Sequence, residues 1–413
     1  MPKKRTPRLL AGYTHHNKVR LIHGGAEYFS TLVQMIDNAQ QIIHLQTYIF
    51  DADETGNLVS AALLRAAGRR VQVYVLLDGY ASQHLSREII NGWKAAGIRF
   101  RWFWPLFKSR KFYLGRRMHH KVVVTDASIG LAGGINISDR YNDIDGQPAW
   151  LDRALLVEGQ AALKLHITCR DMWTKAYWRP NKPQRDNFAR LPGVIPDTEC
   201  LIRVRRNDWV QGKNQISRSY IQMFRQARSH IIVLSAYFMP GPILRKQMAQ
   251  ASRRGVNIRI IVGAVSDVSI ARMAEQYMYQ WLFANKIEVY EYQGTVLHGK
   301  MAAYDGVWMT NGSYNVNRIS AYASVELNMD VRNNEFAALV EEELHGIIRD
   351  HCIRITPEKY YHQHGWFQRL RHWFAYHTVR LIFFLFTFYF KQEKESKPLT
   401  PPTTAPRAKP PRP

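Results

Sequence analysis

Cysteine and acidic residues are scarce in this chain of 413 residues. Its three cysteines, Cys169, Cys200 and Cys352, are far apart and lack metal-ligand spacing. This pattern argues against a disulfide scaffold and is typical of a reducing compartment. The 33 Asp and Glu residues are outnumbered by 57 Lys and Arg residues, which leaves a net charge of +24. Such an excess indicates an anionic partner, either nucleic acid, anionic lipid or a phosphorylated substrate.

The signatures of several other protein classes are also absent. Without HExxH, cysteine pairs or clustered carboxylates we expect no metal and no cofactor, and without GxSxG we expect no Ser-His-Asp hydrolase. The basic N-terminus has no apolar stretch behind it, so no signal peptide is predicted. The apolar run Leu381–Phe390 is too short to span a bilayer, which takes about 20 helical residues. An apolar share of 46% is typical of a folded globular protein.

The chain contains an internal repeat. Residues 42–50 (IIHLQTYIF) match 231–239 (IIVLSAYFM) at an offset of 189 positions. Two further matches follow in the same order, 69–75 with 254–260 and 95–100 with 284–289. Because the offsets drift by only a few residues, the repeat indicates two copies of one domain in tandem.

Each copy alternates β-branched runs, typical of buried strands, with segments of helical apolar spacing. This alternation predicts an α/β fold in which each domain is a mostly parallel sheet flanked by helices. The predicted organisation is a basic segment at 1–20, a first domain at 21–178, a linker at 179–197, a second domain at 198–355, an amphipathic aromatic segment at 356–390 and a disordered Pro- and Lys-rich tail at 391–413.

Both copies end in the same polar motif, HxKxxxxD, followed six residues later by Gly-Gly-x-Asn or Gly-Ser-x-Asn. Its members are His119, Lys121, Asp126 and Asn136 in the first copy and His298, Lys300, Asp305 and Asn315 in the second. Residues two apart on a strand project from one face, so each His–Lys pair points the same way. If the two faces join at the domain interface, Lys and Asn can hold a phosphate between two histidines. One neutral imidazole can attack phosphorus while the other, protonated, donates to the leaving oxygen.

The duplicated motif resembles the hallmark of the phospholipase D superfamily, over residues from about 23 to 350. The resemblance implies a phosphohistidine intermediate formed without metal, with one motif histidine as nucleophile and the other as general acid and base. We take His119 as the nucleophile, but the near-symmetric motifs leave the order open. Lys121, Lys300, Asn136 and Asn315 would bind the phosphate.

The resemblance also assigns roles to the acidic residues. Asp126 and Asp305 belong to the catalytic motif but are largely structural in the family. Asp152 and Glu326 match acidic positions downstream of each motif, and family geometry pairs each with the histidine of the other copy. Glu326 would then orient His119, and Asp152 would orient His298.

Two aromatic and basic segments bear on the substrate. The segment 101–118 suits either a lipid headgroup boundary or single-stranded nucleic acid, and ordinary loop packing is the alternative. Residues 366–390 combine aromatic and basic helical spacing with an apolar end. That combination is typical of a monotopic membrane anchor, with a terminal helix packed on the second domain as the alternative.

The residues around the motifs, including 133–141 (GGINISDRY), resemble bacterial cardiolipin synthases of the type without N-terminal transmembrane helices. Asn317 and Ile319 depart from the Asp-x-Arg-Ser of those relatives, which leaves the donor lipid open. We predict transfer of a phosphatidyl group to phosphatidylglycerol, giving cardiolipin and glycerol. The expected donor is phosphatidylglycerol, with phosphatidylethanolamine left open.

The predicted location is the cytoplasmic face of a bacterial inner membrane, with an anionic phospholipid membrane as partner and no nucleic acid. The oligomeric state is left open. The alternative is a nuclease or phosphodiesterase of the same superfamily. A non-enzymatic lipid- or nucleic-acid-binding module ranks third, because it would not need two intact motifs.

Overall fold

A computed structural model of the chain describes residues 10–103, 116–175 and 199–395. Side chains are described within these ranges except at 175, 199 and 383–395. The predicted linker at 179–197, residues 104–115 of the first aromatic and basic segment and most of the predicted tail lie outside the described residues.

The described residues of the first half form eight strands and four α-helices. In chain order they are β1 (Thr14–His23), α1 (Ala26–Asn38), β2 (Ile42–Thr47), α2 (Glu54–Gly68), β3 (Gln72–Asp78), α3 (Arg87–Ala95), β4 (Arg99–Phe103), β5 (Arg117–Met118), β6 (Lys121–Thr125), β7 (Ile129–Gly133), β8 (Arg153–Gly159) and α4 (Gln160–Lys175). Strand β1 includes residues 14–20, which the sequence analysis placed in the basic N-terminal segment. Its exposed His, Lys and Arg side chains alternate with buried ones. These basic residues make the alternation of apolar and polar residues, by which a strand is recognised, hard to see in the sequence.

The second half repeats this succession and adds helices at its end. Its elements are β9 (Glu199–Asp208), β10 (Lys213–Asn214), α5 (Gln215–Gln226), β11 (His230–Ser235), α6 (Pro242–Arg253), β12 (Asn257–Gly263), α7 (Ser269–Ala284), β13 (Glu288–Tyr292), β14 (Lys300–Tyr304), β15 (Trp308–Gly312), α8 (Arg318–Tyr322), β16 (Ser324–Arg332), α9 (Asn334–His351), β17 (Cys352–Ile355), α10 (Pro357–Gln363) and α11 (Trp366–Glu395).

The two halves have the same strand order. It is β4-β3-β2-β6-β7-β8-β1 in the first half and β13-β12-β11-β14-β15-β16-β9 in the second. Strand β1 also pairs with β9, so the two sheets are linked. The α/β fold class is confirmed.

The prediction of mostly parallel sheets is wrong. Only β2-β3-β4 and β11-β12-β13 run parallel within the described sheets, apart from the short pairing of β5 with β16. The motif strands β6, β7 and β8 are antiparallel, as are β14, β15 and β16. Strands β6 and β7 are joined by three residues, 126–128, and so short a connection can join only antiparallel neighbours.

Residue alternation along the motif strands separates the core beneath the helices from a second core that both halves share. On β6, Val123 faces the core beneath α1, α2 and α3, whereas Val122 and Val124 face a core shared by both halves. On β14, Met301 and Ala303 enter that shared core from the other side. The halves are therefore joined by a continuous apolar layer, and the ends of β6 and β14 are held at fixed positions relative to each other.

Helix α11 lies on the second half by one face only. Its Ala375 and Val379 are buried with Met239 and Ala274, and the ring of Tyr376 lies 4.8 Å from that of Tyr277. The helix continues to Glu395, past the predicted start of the disordered tail at 391. A search of the described helices found none with the length and apolar character needed to cross a membrane.

Candidate active site

The two motif histidines meet at the interface between the halves, each two residues before the start of its motif strand. The backbone N–H of His119 donates to the carbonyl oxygen of Val325 over 2.9 Å, and that of His298 donates to the carbonyl of Leu151 over 2.9 Å. Val325 and Leu151 directly precede Glu326 and Asp152. Each histidine is thus fixed by backbone of the other half, beside an acidic residue of that half.

The side chains form crossed pairs over the same interface. His119 Nδ1 lies 3.0 Å from Glu326 Oε2, and His298 Nδ1 lies 2.6 Å from Asp152 Oδ2. Because an ionised carboxylate only accepts hydrogen bonds, each imidazole carries its proton on Nδ1 and keeps the Nε2 lone pair free. Both carboxylates are fully buried, while the side chains of His119 and His298 remain 18% and 9% exposed. The two Nε2 atoms are therefore the imidazole nitrogens that these contacts leave free for chemistry.

The motif lysines add two cations to this enclosed space. Lys121 Nζ donates to the backbone carbonyl of His119 over 2.6 Å, and Lys300 Nζ donates to the carbonyl of His298. Burial, together with repulsion from Lys300, lowers the pKa of Lys121 to about 7, and burial also lowers the pKa of Lys300. Burial disfavours the charged form of each lysine, and an anion bound beside the ammonium group stabilises that form. The two lysines thus favour an anionic ligand in this space.

Burial also shifts the titration of the crossed pairs. It lowers the pKa of His119 despite the attraction of Glu326, and it lowers the pKa of His298 well below its usual range, with Lys300 and Lys121 adding to the effect. Burial raises the pKa of Asp152 to about 6 against the attraction of Lys300. Neutral imidazoles are nucleophilic, whereas a carboxyl–imidazole pair that takes up a proton near neutral pH can act as an acid.

The two asparagines predicted to bind phosphate are both buried but differ in their contacts. Asn136 accepts from the N–H of Ile49 over 3.2 Å and donates to the hydroxyl of Tyr141 over 2.8 Å. Asn315 Oδ1 is buried and has no hydrogen-bond partner among the described residues. Asn136 therefore has fewer free hydrogen-bonding positions for a ligand than the sequence pattern implies.

Asp126 and Asp305 lie at the far ends of the motif strands and hold turns together. Asp126 accepts from the N–H groups of Gln40, Gln41 and Ile42 at 2.8–2.9 Å. Asp305 accepts from three consecutive N–H groups, at 228–230, at 2.7–3.0 Å. Both residues belong to the motif that the sequence predicts to be catalytic, and the structure separates them from the histidines by the length of a strand.

Gly134 of the first motif leaves room for the carboxylate of Asp152, whereas Gly133 and Gly312 lie against the neighbouring strand. Gly133 and Gly312 end strands β7 and β15. A Cβ atom on Gly134 would lie 2.4 Å from Asp152 Oδ2, so only glycine fits beside that carboxylate. At the matching position of the second half, Ser313 instead donates its hydroxyl to Glu326 Oε2. The Gly-to-Ser difference between the motifs thus follows from how each carboxylate is held.

Aromatic side chains that were not predicted from the sequence pack beside both histidines. The ring of Tyr48 lies 4.9 Å from that of His119, and Lys121 Nζ lies 5.2 Å from the Tyr48 ring centre. Tyr141 and Trp150 lie 5.1 and 5.9 Å from His298. One signal was available for Tyr48, because Tyr237 occupies the matching position of the repeat. No repeat or spacing marks Tyr141 or Trp150.

The neighbouring His120 is turned away from this site. Its Nε2 lies 2.9 Å from Gln46 Oε1, and burial lowers its pKa to about 3. Within the parts of the chain that the structure describes, no group of three His, Cys, Asp or Glu residues could hold a metal ion. The two oriented imidazoles and the two lysines can perform nucleophilic and acid–base chemistry on a phosphodiester.

Comparison with known proteins identifies the family. A family model described as "Cardiolipin synthase, PLD-like domain" matches residues 32–147 and 220–348. Cardiolipin synthase B of Escherichia coli (strain K12) is 34% identical over 372 residues, which cover 88% of each protein. Cardiolipin synthase 1 of Bacillus anthracis is 29% identical over 338 residues, covering 80% of this chain and 65% of that protein.

A solved structure supports the fold independently of sequence. The crystal structure of phosphatidylserine synthase from Haemophilus influenzae Rd KW20 matches with a TM-score of 0.68 at 14% identity. The match covers 94% of this chain and 98% of that one. The chain therefore belongs to the cardiolipin synthase family of phospholipase D-like enzymes, and it is a phosphatidyltransferase.

Proposed function

We propose that the enzyme transfers a phosphatidyl group through a phosphohistidine to phosphatidylglycerol, forming cardiolipin, with phosphatidylglycerol as the donor. The observation that carries the proposal is the pair of crossed contacts, His119 with Glu326 and His298 with Asp152, around two buried lysines. Two oriented imidazoles beside two cations supply a nucleophile, a proton donor and charge stabilisation for one phosphorus atom. No further reactant is needed.

In the first half-reaction, His119 Nε2 attacks the phosphorus of the donor lipid. A nitrogen–phosphorus bond forms, and the bond from phosphorus to the glycerol oxygen breaks. The proton that this oxygen needs comes from His298 Nε2. The His298–Asp152 pair takes up this proton, in addition to the one on Nδ1, as the pH falls toward the raised pKa of Asp152 at about 6. Lys121 and Lys300 neutralise the phosphoryl oxygens, and glycerol leaves.

In the second half-reaction, the free hydroxyl of a phosphatidylglycerol molecule attacks the same phosphorus. His298, now neutral, takes the hydroxyl proton, the new oxygen–phosphorus bond forms, and His119 is released. Asn315 and the lysines would hold the phosphate in both steps. Because water would compete for the intermediate, the nearly complete burial of this site favours transfer over hydrolysis.

The test incubates the purified chain with phosphatidylglycerol vesicles and follows the lipids by mass spectrometry. We expect cardiolipin and glycerol in equal amounts, at a rate unchanged by EDTA because the reaction uses only protein side chains. Parallel incubations with phosphatidylethanolamine vesicles and with single-stranded DNA define the donor range. DNA cleavage without any lipid product would contradict the proposal and favour the alternative nuclease function.

We also propose peripheral attachment to the cytoplasmic face of a bacterial inner membrane, mainly through α11. The buried face of this helix leaves the aromatic rings of its first turns outward, with Trp366 71% and Phe374 57% exposed. Exposed rings beside basic side chains suit the headgroup region of an anionic bilayer. All three cysteines are free, which supports the reducing side of the membrane.

The attachment can be tested with the double variant Trp366→Ser/Phe374→Ser. Because two exposed rings lose their apolar contact with lipid, we expect the partition coefficient onto phosphatidylglycerol vesicles to fall by about tenfold or more. The measurement is vesicle sedimentation. The matched control is Leu58→Ser/Leu339→Ser, which removes exposed apolar side chains from α2 and α9. Equal partitioning of the two double variants would contradict attachment through α11.

A further inference from the structure

A small cavity of about 130 Å³ lies between the start of α6, the residues that follow the second motif, and α11. Its lining includes Arg245, Arg318 and Arg380 together with Met239, Tyr376 and Val379. We propose that this cavity binds the phosphodiester headgroup of a second phospholipid, the acceptor of the transfer reaction. The proposal rests on the proposed function and names the substrate position that the histidine site does not supply.

The charge of the cavity points to an anion. Three arginines line it, no carboxylate does, and none of the three forms an ion pair with Asp or Glu in the described ranges. Arg318 Nε is buried and has no hydrogen-bond partner there, although a buried guanidinium nitrogen is costly to leave unpaired. Arg245 additionally lies over the ring of Trp281. Guanidinium groups in this number match the oxygens of a phosphodiester.

The backbone adds to the positive potential. Gly241 and Pro242 line the cavity at the N-terminus of α6, a helix of 12 residues. The N-terminal end of a helix carries partial positive charge and free N–H groups, which favour phosphate. The helix end and the three guanidinium groups therefore favour the same kind of ligand.

The apolar lining residues of the cavity favour a lipid over free phosphate as its ligand. Met239 and Val379 belong to the buried apolar cluster beneath α11, and the ring of Tyr376 lies beside them. Ile243, which follows the lining residue Pro242 in the chain, is 62% exposed. A lining that combines cationic and apolar side chains, with an exposed aliphatic residue next to it in the chain, matches the boundary between a phospholipid headgroup and its acyl chains.

The cavity adjoins the histidine site along the chain and through the backbone. Arg318 follows the motif residue Asn315 by three positions, and the N–H of Met239 donates to the carbonyl oxygen of Val316 over 2.9 Å. Cardiolipin contains two phosphates joined by one glycerol unit. Only one phosphate can lie between the histidines, so the acceptor phosphate needs a neighbouring cationic position, and the three arginines provide it.

The test lets the phosphohistidine intermediate react with either of two acceptors, phosphatidylglycerol or free glycerol. Phosphatidylglycerol vesicles are supplied with isotopically labelled glycerol, which reacts with the phosphohistidine to give labelled phosphatidylglycerol but has no phosphate of its own. For Arg245→Gln/Arg318→Gln we expect cardiolipin formation to fall by about tenfold to a hundredfold while glycerol exchange is unchanged. The control Arg253→Gln removes an exposed charge from the same helix and should leave both rates unchanged. A parallel fall of both rates, or no fall, would overturn the proposal.

A binding measurement tests the cavity as a lipid site whether or not the enzyme makes cardiolipin. Phosphatidylglycerol with short, water-soluble acyl chains is titrated into the His119→Ala variant of the full chain by calorimetry. We expect two sites, one of which is lost when Arg245→Gln/Arg318→Gln is added, whether or not the wild-type chain makes cardiolipin. One site in both proteins would overturn the proposal. Inorganic phosphate that displaces the lipid at equal affinity would also overturn it, because the cavity would then be a free-phosphate site.

Discussion

Alanine in place of His119 or His298 should reduce cardiolipin formation by about 10⁴-fold or more. Each replacement removes either the nucleophile or the group that transfers the proton, and neither loss can be compensated by the remaining motif. The products from phosphatidylglycerol vesicles are measured by mass spectrometry for each variant. The midpoint of thermal unfolding is recorded in parallel, so that a loss of activity is not confused with a loss of fold.

His120 provides the matched control for this experiment. It is the direct neighbour of His119, but its side chain contacts Gln46 on the opposite side of the strand. His120→Gln retains a polar side chain at this contact and should lower activity far less than His119→Ala. If His119→Ala or His298→Ala retained activity within tenfold of the wild type, the phosphohistidine mechanism would be wrong.

Replacing Gly134 by alanine should lower kcat by about 10²-fold or more, although no polar group is removed. The added Cβ would lie 2.4 and 2.5 Å from the two carboxylate oxygens of Asp152, so that carboxylate must move. Its 2.6 Å contact with His298 is then lost. Loss of the residue that orients a catalytic histidine costs up to about 10⁴-fold in rate in a well-studied triad.

The same chemical change at an open position separates this effect from the general effect of a methyl group. A Cβ atom on Gly92, in helix α3, would meet no atom within 4 Å. Gly92→Ala should therefore keep full activity and stabilise the fold slightly, since alanine favours a helix more than glycine does. The kinetic constants and the unfolding midpoints of the two variants are compared. Equal kcat values for Gly134→Ala and Gly92→Ala would exclude the proposed role of this glycine.

The sequence predicts the features that depend on neighbouring residues or that recur in both copies of the repeat. The strands β2 and β11 are apolar runs that recur in both copies, and the spacing of His119 and Lys121 recurs at His298 and Lys300. The fold class and the family followed from these patterns. Periodicity reports which residues are buried, but it does not report strand direction, so the antiparallel strands β6 to β8 were missed.

Other features could not be predicted because they join residues that are distant in the chain. Arg245, Arg318 and Arg380 lie on three helices with no common spacing, and only the packing of α11 brings them to one cavity. Ser313 was noted as a motif position, but its bond to Glu326 depends on the close pairing of β15 with β16. Such contacts are set by tertiary structure, and a single sequence carries no periodic signal for them.

The crossed arrangement removes the redundancy that a duplicated domain would otherwise provide. Each half contributes one histidine, yet the backbone and the carboxylate that fix that histidine belong to the other half. Under the proposed mechanism, a damaging substitution at Asp152 would inactivate the histidine of the second half, and one at Glu326 would inactivate that of the first. Neither copy can serve as a spare for the other, so the two halves must be inherited and altered as one functional unit.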